Sequence, residues 1–301
     1  MSYLYRPVTG FLCSAFYYFL GTSVCLAGFL MESTNKDQTG ILLIGQNYQA
    51  SEYPNLGGCI NDTENLETFL TSTKGFPEEN VKTMTDSRHK IITASAIKDA
   101  IRDMAKSTQE NAASRKKIIF ISYSGHGTQR AAPGYKESDG KDECLVAGDG
   151  FVSDNELHTL LKEFHPESKV FFLIDACHSG TMLDLKYRYR FKPGAPGNVS
   201  TKEMKSAVTD ISAHIVCLSG CQDEQTSSDA YLEDKTEDSK MWERQGACTQ
   251  AFIEHCKNFP LASLLNLPLQ LKDTMVEGRF QQRPTLSSNR SLAYEDQLFD
   301  Y

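Results

Sequence analysis

Apolar residues come in short unbroken runs along this chain, and polar or small residues close each run. The first is ILLIG at 41–45, followed by Gln and Asn. Runs of four to eight apolar residues bounded by turn signals predict strands buried on both faces. NVKTM (80–84), KKIIFISYSGHG (116–127), VFFLIDACHSG (170–180) and HIVCLSGC (214–221) repeat the pattern. Helical spacing fills the gaps between them. Leu66, Phe69 and Leu70 share one face of residues 62–72, and Ala96, Ile97, Ile101 and Met104 share one face of residues 93–107. Residues 153–164 open with a capping box, Ser153 with Glu156 three positions on. Residues 246–257 and 267–278 also read as helices, and 281–289 as an edge strand or loop. Strands alternating with helices predict an α/β fold, a mainly parallel sheet with helices on both faces. In such sheets function collects beyond the carboxyl ends of the strands.

Two stretches break this alternation. Residues 186–206, KYRYRFKPGAPGNVSTKEMKS, are basic and rich in Pro and Gly, which predicts an exposed linker. Residues 11–31 contain no charged side chain, and about 20 apolar residues suffice to cross a bilayer. They read as a signal or membrane anchor, as an extension outside the domain, or as upstream of a start at Met31. The domain therefore begins at Ile41, after an extension of residues 1–40.

Composition narrows the partners. A formal net charge of -8 argues against nucleic acid and suits cationic ligands, either metal ions or basic peptides. With 40% hydrophobic and 23% charged residues in 301, the chain is an ordinary globular protein of one large or two small domains. Nine cysteines, with no CxxC pair or His/Cys cluster, predict reduced thiols rather than a disulfide framework or a zinc site. That places the protein in the cytoplasm, membrane-anchored if residues 11–31 are retained.

The candidate chemistry lies at two strand ends. One run closes in YSGHG with His126, the other in DACHSG with Cys177. Parallel strands present their carboxyl ends on one edge, so these two residues can meet. A thiol needs an imidazole nearby to react as thiolate at neutral pH. His178 adjoins Cys177 in sequence, but the two side chains would diverge. Gly125, Gly127 and Gly180 allow close backbone approach, and the amides of Gly127 and Cys177 are natural donors to an oxyanion. Taken singly, a buried Cys is usually inert and a His usually structural; the pair at matched strand ends favours a nucleophile with its base.

YSGHG and DACHSG together resemble the caspase-like cysteine peptidases, and within them the metacaspases. LGGCINDTENL (56–66), GKDECLVAGDGFVSDNEL (140–157), SGCQDEQTSSDA (219–230), GACTQAFI (246–253) and QRPTLSS (282–288) resemble further family segments, in the family's order. A large-subunit part at 41–185, the linker, and a small-subunit part at 207–301 in the same domain resemble type I. The resemblance implies a caspase-like three-layer α/β/α fold, self-processing of a zymogen, and a role in programmed cell death. The caspase signature carries Gln-Ala-Cys where this chain has Asp-Ala-Cys. Asp175 shares a strand face with Cys177, two positions on, and its carboxylate favours a cationic substrate side chain. By resemblance, Asp62 is the second acid of that pocket and Ser124 lines it, so protein substrates should be cut after Arg or Lys. Asp62 has a structural reading too, as a residue near a helix start.

The acid-rich stretch 138–155 suits calcium, although it is not an EF-hand loop. By resemblance, Asp142, Asp154, Asn155 and Asp184 match the family's calcium ligands. The family usually has paired acids where this chain has Asp154-Asn155, and the loop between Asp149 and Asp154 is short. Arg188, Arg190, Lys192, Lys202 and Lys205 are candidates for self-cleavage, and a monomer is expected. Three other readings compete: a non-catalytic caspase-like regulator or scaffold, a related asparaginyl peptidase, and a zinc enzyme. The nucleophile, base and acids all being present disfavours the first, the paired Asp62 and Asp175 the second, and the lack of a ligand cluster the third.

Overall fold

The computed structural model describes residues 36–110, 115–131, 141–177, 179–180, 182–191, 199–204, 210–220, 246–258, 263–277, 283–293 and 296. In chain order these form β1 (Thr39–Gly45), α1 (Cys59–Thr68), β2 (Val81–Thr85), α2 (Asp86–His89), α3 (Ala94–Ser107), β3 (Ile118–Ser124), β4 (Gly127–Ala131), β5 (Lys141–Ala147), β6 (Gly150–Ser153), α4 (Asp154–Leu161), β7 (Lys169–Asp175), β8 (Tyr187–Phe191), β9 (Val199–Glu203), β10 (His214–Ser219), α5 (Ala247–Asn258), α6 (Leu267–Glu277) and β11 (Thr285–Ser288).

Each predicted apolar run is a strand of one sheet, ordered β2-β1-β3-β7-β10-β11-β8-β9. The first five strands are mutually parallel, and β11, β8 and β9 add on antiparallel. Every residue of β1 and β3 is buried, as a strand covered on both faces requires. Side chains alternate between two cores. Ile41, Leu43, Phe120, Phe171 and Leu173 pack with Leu66 of α1, Phe252 of α5 and Leu271 of α6. Leu42, Ile44, Ile121, Phe172 and Ile174 pack with Ile97 and Ile101 of α3 and Leu157 of α4. The result is three layers, with each such buried side chain worth about 1.5–3 kcal/mol.

Local signals set the helix starts. The Thr93 hydroxyl accepts the Ala96 N–H at the head of α3. The Ser153–Glu156 capping box forms at the head of α4 with both of its hydrogen bonds. The chain winds to β2 on one side of β1 and to β3 on the other. The carboxyl ends of β1 and β3 therefore flank a point where the winding reverses, the usual ligand site of such sheets.

Two expectations need correction. Part of the predicted linker 186–206 is folded: β8 and β9 extend the sheet, and Arg188 and Tyr189 are 6% and 1% exposed. Tyr189 sits on β11, and its hydroxyl accepts the Leu292 N–H at 2.7 Å. Residues 285–288 form an interior strand between β10 and β8, rather than an edge. The acidic stretch also holds structure that spacing did not predict, a second sheet ordered β4-β5-β6. Residues 11–31 lie outside the described residues. Among those described, no helix is long and apolar enough to cross a membrane.

Candidate active site

β3 and β7 lie side by side with Ser124 opposite Asp175. His126 and Cys177 each follow two positions later, so equal offsets carry both to the same edge. The Gly125 N–H donates to the Asp175 carbonyl at 3.3 Å, which keeps the two chains together past the strand ends. A side chain at Gly127 would collide with the Cys177 carbonyl oxygen, so close approach there requires glycine. The predicted nucleophile, base and first oxyanion donor are thus neighbours, and His178 lies outside the described residues.

Cys177 differs from the other described cysteines. Cys59, Cys144, Cys217, Cys248 and Cys256 are buried, whereas Cys177 is half-exposed. Burial pushes the Cys144 and Cys256 thiols up to about 12, far from the reactive thiolate form. Accessibility therefore singles out the thiol that strand position had already selected.

The His126 ring is oriented on two sides. Its Nε2 lies 2.8 Å from the Pro54 carbonyl oxygen. A carbonyl only accepts, so Nε2 carries the hydrogen and Nδ1 is the basic nitrogen of the neutral ring. The ring rests on Tyr48, centroids 4.7 Å apart and planes inclined by 36°. The His126 N–H donates to the Tyr48 hydroxyl at 2.9 Å, and that hydroxyl donates to the Val146 carbonyl at 2.7 Å. Burial drives the Tyr48 and Tyr123 phenols upward, so both hydroxyls stay neutral.

The acid pair assembles from three segments. Asp62 of α1, Asp175 at the end of β7 and the start of α5 converge, with Asp62 2% and Asp175 5% exposed. The Ser124 hydroxyl donates to Asp62 Oδ2 at 2.8 Å and the Gly246 N–H to Asp62 Oδ1 at 2.6 Å. The Thr249 N–H donates to Asp175 Oδ2 at 2.9 Å. A methyl group on Gly246 would collide with Asp175 and lie 2.6 Å from Asp62 Oδ2, so the two carboxylates converge on one point beside that glycine. Both face the amino end of α5, where free N–H groups and the helix dipole favour negative charge. Asp62, Asp175 and Ser124 are brought together as expected. The residue-type signals missed Gly246, Thr249, Tyr48 and Pro54, three of which act through backbone groups. Gly246 ahead of a helical run was the available hint.

The acidic stretch is arranged differently. Asn155 Nδ2 lies 3.1 Å from Asp142 Oδ1. Asp154 is fully buried, and its two oxygens accept the Glu143 and Asn155 N–H groups at 2.9 and 2.6 Å. Asp149 accepts the Ala94 N–H at 2.8 Å, at the head of α3. Asp184 follows β7 in the left-handed region, with φ 46°. Among the described residues, no three His, Cys, Asp or Glu side chains converge as a metal-binding group. Of the expected calcium ligands, Asp142 and Asn155 face each other, while Asp154 is engaged by backbone N–H groups.

Comparison with known proteins agrees with this geometry. The family model described as Caspase domain, a peptidase C14 model, matches residues 40–294. Metacaspase-1 of Eremothecium gossypii is 30% identical over 83% of this chain and 64% of its own length. Metacaspase-1 of Saccharomyces cerevisiae is 30% identical over 83% of this chain and 66% of its length, and that of Candida glabrata 30% over 83% and 72%. The chain thus spans about two thirds of the length of these relatives. A crystal structure of a Geobacter sulfurreducens protein superposes with a TM-score of 0.58 and 25% identity, covering 86% of this chain and 97% of that one. Caspase-1 from Spodoptera frugiperda superposes with a TM-score of 0.52 over 92% of this chain and 100% of its own; at 13% identity it shows the fold alone. The chain belongs to the metacaspases, within the caspase-domain family of cysteine peptidases.

Proposed function

We propose that this chain is a cysteine endopeptidase that cuts protein substrates on the carboxyl side of Arg or Lys. The observation that carries the specificity is the buried pair Asp62 and Asp175, the latter two positions upstream of Cys177, with both carboxylates crowding one point beside Gly246. Two carboxylates held close together in a shielded site repel each other, and a guanidinium or ammonium entering between them replaces that repulsion with attraction. An acidic substrate side chain would add a third negative charge and is rejected.

In the proposed reaction His126 Nδ1 takes the proton from Cys177 Sγ. The thiolate attacks the carbonyl carbon that follows the Arg or Lys side chain, and the N–H groups of Gly127 and Cys177 receive the oxyanion. The imidazolium then protonates the departing amine, leaving a thioester on Cys177. Water, deprotonated by the same ring, releases the acid and restores the thiol. Pro54 supports the cycle because its carbonyl stabilises the Nε2–H of the charged ring.

Calcium dependence belongs to the proposal as well. The half-exposed Asp142 and Asn155 offer hard oxygen donors, and recruiting Asp154 requires it to leave the two N–H groups it now accepts from. Self-processing remains a proposal with fewer sites. Arg188 lies within β8, paired on both sides, and Arg190 is paired with β9. Lys202 is exposed on β9, and Lys192 and Lys205 lie outside the described residues.

The test is to digest a denatured protein with the purified chain plus calcium and map the new termini by mass spectrometry. Termini that follow Arg and Lys, and none with Cys177→Ala, are expected. Cleavage that survives Cys177→Ala, or that follows Asp, overturns the reading.

A further inference from the structure

We infer that Asp86 and Tyr48 are positioning residues for the His126 imidazole, an inference that rests on the peptidase reading above. Asp86 is the first residue of α2, directly after β2, and stands beside the chain where it leaves β1. Its Oδ2 accepts the Tyr48 N–H at 2.6 Å, and its two oxygens lie 2.9 and 3.1 Å from the Asn47 N–H. A carboxylate gripping two successive N–H groups fixes the turn there. The turn is one that non-glycine residues rarely make: Tyr48 sits at φ 62°, in the left-handed region. Such a conformation persists only where its surroundings impose it, and it recurs at functional sites.

Both contacts that orient His126 depend on this turn. The first is the Tyr48 ring, packed at a tilt against the imidazole, with its hydroxyl accepting the His126 N–H. The hydroxyl is itself fixed, 2.9 Å from the Tyr123 hydroxyl and bonded to the Val146 carbonyl. The Tyr123 hydroxyl lies 3.0 Å from the His126 carbonyl, which also accepts the Val146 N–H at 3.0 Å. The second contact is Pro54. Its loop is closed at the same point, because the Leu56 N–H donates to the Asn47 carbonyl at 3.0 Å and the Ser51 N–H to the Tyr48 carbonyl at 3.1 Å. Asp86 thus holds the root of the loop that supplies the Nε2 partner and the tyrosine beneath the ring. Since a misplacement of about 1 Å can cost on the order of 100-fold in rate, a residue outside the reacting groups can govern turnover.

The experiment measures kcat, KM and melting temperature for Asp86→Asn, Tyr48→Phe, Tyr48→Leu and His126→Ala. Alongside them, the pH dependence of Cys177 alkylation by iodoacetamide is read by peptide mapping. Asp86→Asn and Tyr48→Leu should lower kcat by about 10- to 100-fold with KM within about threefold. They should also move the alkylation midpoint up toward the ordinary thiol value of ~8.5, a readout that mere loss of stability would not shift. Tyr48→Phe keeps the packing and loses the hydroxyl, so a smaller kcat loss of about fivefold is expected; it decides the matter if the other variants do not melt cooperatively. Wild-type kcat and midpoint in the folded variants overturn the inference. If His126→Ala also leaves the midpoint unchanged, the peptidase reading of His126 fails with it; if only His126→Ala shifts it, the inference alone fails.

Discussion

Asp62 and Asp175 come from distant elements and meet inside the protein, whereas Asp142, Asp149 and Asp154 are close in sequence and serve separate tasks. The first pair is buried, bonded by N–H groups at the start of α5, and crowded beside one glycine. In the second group Asp154 ties α4 to β5, Asp149 receives an N–H at the head of α3, and Asp142 faces an amide. Convergence of like charges in a dry interior costs free energy that folding alone does not return, so it points to a ligand. Acids dispersed over helix starts and hairpins are stabilising where they stand, and their number says little about a metal.

Asp175→Asn should lower kcat/KM for an Arg peptide by about 100-fold, because one of two charge-assisted contacts to the substrate is lost; steady-state kinetics on a matched peptide checks this. Gly246→Ala keeps both carboxylates but its methyl would collide with them and push them aside, and should cost about 10-fold in kcat/KM, mostly in KM, with the fold intact by circular dichroism. For the second region, a chelator titration of the wild type should silence cleavage. Asp142→Asn should then raise the calcium concentration for half-maximal activity by about 10-fold, with the same maximal rate in saturating calcium. Full activity in excess chelator would remove calcium from the account. The smallest effect is structural: Asp149→Ala should cost about 1 kcal/mol in thermal unfolding, the worth of one helix-start acceptor, and leave kcat/KM unchanged.

These two regions also mark what the sequence discloses. The unbroken apolar runs at 41–45, 118–121 and 170–174 became central strands, because burial on both faces leaves no other pattern. Cys177 and His126 followed from their strand ends, and Asp175 from alternation. Asp62 and Ser124 came from family resemblance, since nothing local links a helix residue to a distant strand end. Gly246, Thr249 and Pro54 stayed hidden because their parts are played by backbone groups, and Tyr48 because only a loop closure brings its side chain to His126; residue type encodes neither. β8 and β9 were misread as linker because Arg and Lys alternate with Tyr and Phe ahead of a stretch rich in Pro and Gly. The Tyr189 side chain faces the core while the basic residues masked its run. The calcium ligands Asp142, Asp154, Asn155 and Asp184 also came from family resemblance, because spacing along the chain does not distinguish shared ligands from separate caps.

Selection of positive charge by the carboxylates beside Cys177 is tested most directly by kcat/KM for two peptides identical except that the residue before the cut is arginine in one and citrulline, its uncharged isostere, in the other. A preference for arginine of about 100-fold or more, shrinking to within a few-fold in Asp175→Asn, is the expected result. Equal rates for the two peptides would contradict it.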